Sequence, residues 1–415
     1  MRRLSGRAVE RIVIMPGDTR FNLGDVAICL ATVEMLRGAF PTALISVWGK
    51  RPFVDQGLEA VRFHARTGLR TLRALLQADL LIWGGGQLLQ GNRSVVKVPF
   101  WVARIVVLRL LGKRIVGFGQ GLGPFPRRVD RWLTRLAVAC TEVFTVRDRG
   151  SLETLHAAGV PPARVRLTAD PALTLRLRGP DGGKHAPPGT DVARPRLGLS
   201  VRYTRHHHQR RIVPFQLLPP KVRRRIFDSL DFRFYEETMT RLCDRLVERL
   251  GTDLVFLPMY HAPWETDVRL AQTIAQGMRH RDRVRIVAPE AGVVEMMRAF
   301  GTLDAFVGTP MHSTLLATSG LVPTLALHYE PKGREYLELL QMDSWTFPLE
   351  SLWRQGGPEQ LEDRIVELWG CRTQLRQDLG QRLPALRQHA LANLVHLQEA
   401  LGSRKMNGEN EDVRC

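Results

Sequence analysis

The sequence predicts an α/β protein made of two successive domains that face each other across a cleft. Two observations predict this class: short apolar runs alternate with amphipathic segments, and a Gly- and Pro-rich segment, 179–195, interrupts the alternation near its middle. Of the 415 residues, 44% are hydrophobic and 24% are charged, which excludes wholesale disorder. We therefore expect domains over 1–178 and 196–355, the linker 179–195, C-terminal helices over 356–402 and a disordered tail over 403–415.

The first domain is predicted from short apolar runs, each followed by a segment whose apolar residues recur at helical spacing. In the first such segment these residues are Ile28, Leu30, Val33 and Leu36. The expected strands are 11–15, 44–48, 80–83, 114–118, 143–146 and 165–168. The expected helices are 25–37, 69–76, 100–111, 131–139 and 151–158. Strands and helices that alternate with short connections are typical of a parallel, helix-covered sheet.

The second domain repeats this alternation. Its expected strands are 197–201, 254–257, 284–287, 305–307 and 324–327. Its expected helices are 236–250, 267–278, 291–299 and 313–318. The segment 361–401 then has helical spacing without intervening strands, which predicts helices at the C-terminus.

Charge is the first functional signal, because 60 Lys and Arg against 41 Asp and Glu give a net charge of +19. This excess favours anionic partners: nucleic acid, acidic lipid headgroups or phosphorylated substrates. No nucleic-acid-binding motif accompanies it, so we do not expect nucleic acid as a partner. The five cysteines include no CxxC pair, which argues against a disulfide framework and favours a reducing, cytoplasmic compartment.

The apolar stretches are too short to act as membrane spans. Residues 12–15 are too few for the apolar core of a signal peptide. The longest stretch, 98–111, contains Arg104 and Arg109 and falls short of the ~20 residues that cross a bilayer. It is either a core helix with a basic end or an interfacial helix that touches a membrane from one side.

Glycine-rich turns follow three predicted strands. They contain Asn22, Gly24 and Asp25 in the first, Gly84-Gly85-Gly86 in the second, and residues 117–124 in the third. Glycine lets the backbone approach a ligand closely, although βα turns also need it for steric reasons. Because the carboxyl ends of parallel strands share one edge of a sheet, the three turns together predict a crevice there.

Further strings occur in a distinctive order along the chain. They are Val146-Arg147-Asp148, Ala169-Asp170-Pro171-Ala172, Ser200-Val201-Arg202, Met311-His312-Ser313 and Tyr329-Glu330-Pro331-Lys332. Together with the glycine turns, they resemble the pattern of the polysaccharide pyruvyl transferase family from Asn22 to Lys332. The resemblance implies two Rossmann-like domains in a glycosyltransferase-B-like arrangement. It also implies transfer of a pyruvyl group from phosphoenolpyruvate to two sugar hydroxyls as a ketal, without a cofactor.

The resemblance also implies roles for individual residues. The acceptor, a glycan or lipid-linked glycan of cell-envelope or exopolysaccharide synthesis, would bind on the first domain and the donor on the second. His312 would be the catalytic acid, since imidazolium suits proton transfer to carbon near neutral pH; otherwise it is a capping or core histidine. Asp25 would position or deprotonate the acceptor hydroxyl, or else it is a helix N-cap. The expected substrate-binding residues are Arg202, Lys332, Arg205, Ser313, Asn22, Gly85 and Gly86.

One position departs from the family pattern, which has arginine two residues before the histidine. This chain has Pro310 there, and the loss of a charged anion clamp would cost about 1.5–3 kcal/mol. The segment 202–225, with eight Lys or Arg and no acid, offers substitutes. A nucleotide-sugar glycosyltransferase of the same architecture, or a family member without activity, therefore stays open. We expect Asp170 to shape a turn, and we expect no metal site at His206-His207-His208.

Overall fold

A computed structural model describes residues 9–52, 57–65, 67–91, 95–176, 194–204, 218–227, 229–263 and 265–409 of the chain. The first of its two large sheets is wholly parallel, in the order β3-β2-β1-β4-β5-β6-β7. Its strands are β1 (Arg11–Met15), β2 (Leu44–Trp48), β3 (Arg62–His64), β4 (Leu80–Gly84), β5 (Arg114–Gln120), β6 (Phe144–Val146) and β7 (Val165–Leu167). The strand order reverses at β1, which pairs with both β2 and β4, and ligands of open α/β sheets bind beyond such a point.

Five helices connect these strands. They are α1 (Leu23–Ala39), α2 (Leu69–Gln77), α3 (Lys97–Leu110), α4 (Arg128–Ala139) and α5 (Arg149–Ala157). Buried residues of α2, α3, α4 and α5 join one apolar cluster with Val13, Leu81 and Trp83 of the sheet. Residues of α1 pack instead with Ile12 and Ile14, which alternate with Val13 along β1. Because neighbouring strand residues point to opposite faces, α1 covers one face of the sheet and α2 to α5 cover the other.

The second sheet is also parallel, in the order β12-β9-β8-β13-β14-β15, and a small antiparallel hairpin joins β10 to β11. Its strands and the hairpin are β8 (Arg196–Ser200), β9 (Asp253–Phe256), β10 (His261–Ala262), β11 (Glu265–Thr266), β12 (Val284–Ile286), β13 (Ala305–Gly308), β14 (Thr324–His328) and β15 (Thr346–Pro348). The helices of this half are α6 (Pro220–Phe227), α7 (Leu230–Leu250), α8 (Asp267–Gly277), α9 (Gly292–Gly301), α10 (Met311–Ser319), α11 (Pro331–Leu339) and α12 (Gly357–Glu409).

The predicted class, two α/β units with parallel sheets, is confirmed. Every predicted strand and helix is present, β1 and β2 with the predicted ends and the others with ends that differ. The sequence analysis missed β3, β15, the β10–β11 hairpin, α6 and α11. The strands among these are two or three residues long, too short for a periodic signal. Helix α11 begins at Pro331 and contains Gly333, two residues that favour a loop from sequence alone.

The C-terminal region forms the single helix α12 instead of the predicted several, and it contains Pro384. Buried leucines at helical spacing continue on both sides of this proline, including Leu379, Leu383 and Leu386, so the pattern has no break. The helix runs to Glu409, so residues 403–409 are helical rather than part of the predicted tail. Of the predicted linker, only 194 and 195 belong to the described residues.

Helix α12 also joins the two halves of the molecule. The Arg387 guanidinium donates to the carbonyl of Leu173 in the first half at 3.3 Å and to that of Ser319 in the second at 3.0 Å. Asn393 is fully buried, and its amide donates to the carbonyl of Ala169 at 2.9 Å. No helix among the described residues has the length and apolar character needed to cross a membrane.

Candidate active site

His312 lies where the two halves meet. It occupies the first turn of α10, directly after β13, and its side chain is 14% exposed. Gly24, in the first turn of α1, faces the imidazole so closely that a Cβ at this position would collide with Nδ1. Any side chain at position 24 would therefore displace the histidine or separate the halves. Glycine is thus required at this position for steric reasons.

A buried ion pair of the first domain stands on the other side of the imidazole. Arg147, which follows β6, donates from Nη1 to Asp170 Oδ2 at 2.7 Å, and both side chains are 4% exposed. His312 Nε2 lies 3.4 Å from each of these two atoms. The structure thus assembles a three-residue cluster, Arg147–Asp170–His312, from residues that are far apart in the sequence.

The charges in this cluster are strongly coupled. Burial alone would raise the pKa of Asp170, but Arg147 and His312 outweigh it and lower that pKa to about 2. Burial would lower the pKa of Arg147, but Asp170 and then Asp148, 3.5 Å from its Nε, raise it. Asp170 and Arg147 therefore keep their charges over the physiological pH range, and a fixed negative charge lies beside the His312 ring.

Asp170 has the predicted turn role and a second one that the sequence analysis did not assign. Its Oδ1 accepts from the backbone N–H of Ala172 at 3.0 Å, which shapes the turn. Its other oxygen contacts Arg147 and His312. Arg147 is not among the site residues predicted from the sequence, because nothing in its local sequence shows that its partner lies 23 residues away.

Asp25 lies in the first turn of α1 and is not its N-cap. Asn22 is the N-cap, because its side chain accepts from the N–H of Gly24 at 3.1 Å. Asp25 Oδ2 accepts from the backbone N–H of Asp18 at 2.8 Å and from the Asn22 amide at 3.1 Å. Gly86, at φ +75°, faces the other oxygen, and a Cβ there would lie 2.5 Å from Oδ1.

The predicted glycine turn after β4 therefore leaves room for the Asp25 carboxylate, because Gly86 has no side chain. Gly85 also has a positive φ, +89°, and a Cβ there would lie 3.0 Å from Ile28 of α1. Positive φ at two successive positions favours glycine on conformational grounds alone. Asn22, Asp25 and Gly86 thus come together at the start of α1, next to the Gly24 contact with His312.

Arg202 follows β8, next to the strand that leads to His312, since Ser200 pairs with Gly308. Its guanidinium forms a two-point ion pair with Asp267, at 2.9 Å from Nε to Oδ1 and 2.6 Å from Nη2 to Oδ2. It also lies over the Tyr260 ring, 5.3 Å from the centroid, and the backbone of Tyr260 bridges to Asn22 of the first domain. Arg202 is therefore at the junction but already holds a carboxylate.

Lys332 connects the two halves directly. Its Nζ lies 2.8 Å from Glu330 Oε2 and donates to Gln87 Oε1, in the turn after β4, at 3.2 Å. Gln90 donates in turn to Glu330 Oε1 at 3.2 Å. The two predicted donor-binding cations that the structure describes, Arg202 and Lys332, are thus each paired with an acid.

Ser313 and Arg205 complete the predicted set. Ser313 is fully buried, and its hydroxyl donates to the carbonyl of Pro310 at 2.7 Å, which places it in the helix start and not in the open cleft. Pro310 is the N-cap of α10, with φ −70°. Arg205 and the three consecutive histidines lie outside the described residues. No group of three or more His, Cys, Asp or Glu able to hold a metal occurs within the part of the chain that the structure describes.

Glu335 is a titratable residue near the cluster, and no motif of the sequence marks it. It lies on α11 and presses against the start of α5, where a Cβ on Gly150 would collide with its carboxylate. Burial, followed by the negative charge of Asp148, raises the pKa of Glu335 to about 7. Pro331 and Gly333 make its segment favour a loop from sequence alone, so only the packing of α11 on α5 reveals it.

We expect Glu335→Gln to stabilise the protein at pH 8 and to have little effect at pH 5. The folded state holds the Glu335 proton more tightly than the unfolded state, so stability falls as pH rises from the ordinary glutamate value of 4.5 through about 7. The residue is partly exposed, which screens the interaction, and the expected gain is about 1 kcal/mol. Thermal melts of both proteins at pH 5 and pH 8 measure it. The control is Glu338→Gln, on the same helix and paired with Arg334, and an equal gain there would contradict this assignment.

The chain is similar in sequence to known proteins. A family profile described as polysaccharide pyruvyl transferase matches residues 22–331, about three quarters of the chain. The chain is similar to the amylovoran biosynthesis protein AmsJ of Erwinia amylovora, with 22% identity over 249 residues. That match covers 59% of this chain and 56% of the relative, so it spans about half the relative's length.

Several solved structures have a similar fold. A putative UDP-N-acetylglucosamine 2-epimerase from Listeria monocytogenes has a TM-score of 0.59 at 16% identity, with 94% of this chain and 98% of that chain covered. HepE of Anabaena in complex with UDP-glucose has a TM-score of 0.55 at 12% identity, with 95% and 99% covered. At these identities the likeness shows the fold alone, and it confirms the predicted glycosyltransferase-B-like architecture.

The family profile begins at Asn22, the N-cap of α1, and ends at Pro331, the first residue of α11. It therefore includes both sides of the junction: the Asp25 turn, Arg147, Asp170, Arg202 and His312. The resemblance drawn from the sequence motifs is confirmed over the same region. The chain belongs to the polysaccharide pyruvyl transferase family.

Proposed function

We propose that this protein transfers a pyruvyl group from phosphoenolpyruvate to two hydroxyls of one sugar in a polysaccharide or in its lipid-linked precursor. The observation that carries the proposal is the position of His312. A histidine of the second domain lies against the Gly24 turn of the first domain, beside the Arg147–Asp170 pair. Family membership supports the donor and the type of product.

In the proposed reaction, His312 protonates the methylene carbon of the donor while an acceptor hydroxyl oxygen bonds to the neighbouring carbon. Asp25, next to Gly24, orients that hydroxyl and accepts its proton. Phosphate then leaves with the bonding electron pair, and the second hydroxyl attacks the resulting oxocarbenium centre. Loss of its proton gives the cyclic ketal and inorganic phosphate. General acid–base steps of this kind contribute typically 10²–10⁴-fold to a rate.

Within this proposal, Arg147 and Asp170 are positioning residues. Their ion pair is buried and fixed, and it contacts the ring nitrogen of His312. Arg147 Nη1 and Asp170 Oδ2 each lie 3.4 Å from His312 Nε2, so the pair holds the imidazole in place for the first step. Preorganised charges in a site with little water are more effective than the same charges in solvent.

The donor is proposed to bind on the second domain through Arg202, Lys332 and the basic segment that includes Arg205. Phosphoenolpyruvate carries a phosphate and a carboxylate, both good ligands for guanidinium and ammonium groups. Pro310 supplies no such group, so these cations must hold the donor without the usual arginine beside His312. Asp267 and Glu330 already pair with two of them, and the donor therefore competes with these carboxylates.

The direct test is incubation with phosphoenolpyruvate and purified glycans or lipid-linked glycans, with two readouts on one sample. Mass spectrometry detects the ketal on the glycan, and a phosphate assay detects the co-product. We expect both in equal amounts. A melting temperature raised by a UDP-sugar but not by phosphoenolpyruvate would favour a glycosyltransferase instead. If only Pro310→Arg binds phosphoenolpyruvate, the natural protein does not use this donor.

We expect Arg202→Ala to weaken phosphoenolpyruvate binding about tenfold or more, because it removes one charge-assisted contact. Isothermal titration calorimetry measures the affinity. This variant also removes the guanidinium that compensates the charge of the buried Asp267, so stability falls with affinity.

Asp267→Asn separates the two effects. It breaks the same ion pair but keeps the guanidinium, so it should lower stability while donor affinity stays equal or increases. Arg285→Ala, an exposed arginine on β12 of the same sheet, is the surface control. Equal losses of affinity in Arg202→Ala and Asp267→Asn would mean that Arg202 has only a structural role.

A further inference from the structure

The outer side of α3 exposes a continuous apolar stripe. Val96, Phe100, Val107, Leu110 and Leu111 are all between 47% and 81% exposed. They recur at helical spacing, whereas Val98, Val102 and Ile105 of the same helix are buried against the sheet. The helix is therefore apolar on both sides. A helix with one side in water normally has polar residues on that side, so the outer side of α3 is unusual.

The stripe extends to the neighbouring helices. Helix α4, which packs beside α3, exposes Val129 and Trp132, the latter 59% exposed. Helix α2 exposes Leu69, Leu72 and Leu76. Because α2, α3 and α4 cover the same side of the first sheet, their exposed sides form one outer surface. We call these ten side chains, together with the exposed arginines between them, the apolar face.

The charges on these three helices are almost all positive. Their cations are Arg70, Arg73, Lys97, Arg104, Arg109, Arg128, Arg131 and Arg135. Their one acid is Asp130, which is fully buried and held by Arg127. Arg104 lies over the exposed Phe100 ring, 3.5 Å from its centroid, so its apolar stem follows the stripe. The apolar face thus presents exposed leucine, phenylalanine and tryptophan between arginines, with no exposed acid.

We propose that the apolar face binds the surface of an anionic lipid membrane, with α3 lying in the plane of the interface. Apolar side chains enter the boundary between headgroups and acyl chains, and the arginines contact lipid phosphates. Leu110, at 81% exposure, and Trp132 are the expected anchors.

A second copy of the chain is a poorer occupant of this face. A two-fold contact through the same surface would bring together the exposed arginines of both copies, with no exposed acid on these helices to neutralise them. These arginines are Arg70, Arg73, Arg128, Arg131 and Arg135. Nucleic acid would neutralise the arginines, but its phosphate backbone gives no apolar partner to ten exposed hydrophobic side chains. A lipid surface alone matches both the charge and the apolar character.

The apolar face also connects to the candidate site. Lys97, at the start of α3, donates to the carbonyl of Gln87 at 2.8 Å, and Gln87 accepts from Lys332 across the junction. Membrane binding at α3 would therefore place the junction between the halves near the membrane surface. The inference does not depend on phosphoenolpyruvate as donor, since it rests on the surface of the first domain alone.

The test is flotation of the full-length protein with vesicles of phosphatidylglycerol and phosphatidylcholine, compared with vesicles of phosphatidylcholine alone. We expect binding to the anionic vesicles, weaker binding in high salt, and at least about tenfold weaker binding to neutral vesicles. Leu110→Ser with Trp132→Ser, and separately Arg131→Glu with Arg135→Glu, should each reduce binding about tenfold or more.

Matched controls carry the same kinds of change elsewhere. Leu391→Ser with Val395→Ser replaces exposed apolar residues of α12, and Arg281→Glu with Arg285→Glu reverses exposed charges near β12. These variants should bind vesicles like the wild type. Absence of binding to anionic vesicles, or equal loss in the controls, would overturn the proposal. So would a wild-type dimer in light scattering that Leu110→Ser with Trp132→Ser converts to a monomer, because a second copy would then cover the face.

Discussion

Replacing His312 with alanine is expected to abolish pyruvyl transfer, with a loss of at least about 10³-fold in kcat, while phosphoenolpyruvate still binds within about threefold of the wild-type affinity. The size follows from the loss of a general acid, which contributes typically 10²–10⁴-fold to a rate. Donor affinity survives because the proposed anion contacts belong to Arg202, Lys332 and their basic neighbours. Ketal formation and calorimetric titration of phosphoenolpyruvate measure the two quantities separately.

His396→Ala is the matched control, because His396 is a histidine on α12 that pairs with Glu399 at 3.0 Å, away from the junction. It should transfer at the wild-type rate. The transfer rate of Asp170→Asn should lie between those of His312→Ala and His396→Ala, since this variant keeps the imidazole but removes the negative charge beside it. If His312→Ala retains more than a third of the wild-type rate, His312 is a structural contact between the halves and not the acid.

The sequence predicted the parts of the fold that local patterns determine. Apolar runs such as Leu44–Trp48 appear as strands with the predicted ends. Helix α1 shows the limit of this reasoning. Asn22 and Asp25 are both residues that favour an N-cap, and only the structure shows that Asn22 caps Gly24 while Asp25 faces the turn at Gly86.

The candidate site depended instead on contacts between distant residues. Arg147 and His312 are 165 positions apart and belong to different sheets, and their meeting requires both domains to be folded and packed. Similarly, the sequence predicts Arg202 as a cation available to the donor, whereas the structure pairs it with Asp267, 65 positions away. The position of a residue after a strand was thus enough to predict it as a site residue. The sequence did not predict its ionic partner or its accessibility.

Replacing Arg147 with methionine is expected to give the largest loss of stability of any change considered, about 3–5 kcal/mol at pH 7. The methylene stem has a similar volume, but Asp170 and Asp148 lose the guanidinium that compensates them, and removal of one partner of a buried ion pair typically costs this much. Urea unfolding followed by tryptophan fluorescence measures the free energy of unfolding. Arg147→Lys keeps the charge but not the forked geometry, so it should lose clearly less free energy of unfolding than Arg147→Met.

The pH dependence of this loss identifies its cause. In the wild type the pKa of Asp170, lowered to about 2, contributes stability that is present above its ordinary value of 3.8 and is lost as pH falls through about 2. Without Arg147, the largest contribution that lowers this pKa is lost, so Asp170 takes up a proton at a higher pH than in the wild type and the cost of its charge decreases on acidification. The stability difference between Arg147→Met and the wild type should therefore narrow between pH 7 and pH 4. Arg147→Met combined with Asp170→Asn should recover part of the loss at pH 7, because the unpaired charge is gone. A difference that is independent of pH, or a double variant less stable than the sum of the single changes, would show that Arg147 acts through packing and not through its charge.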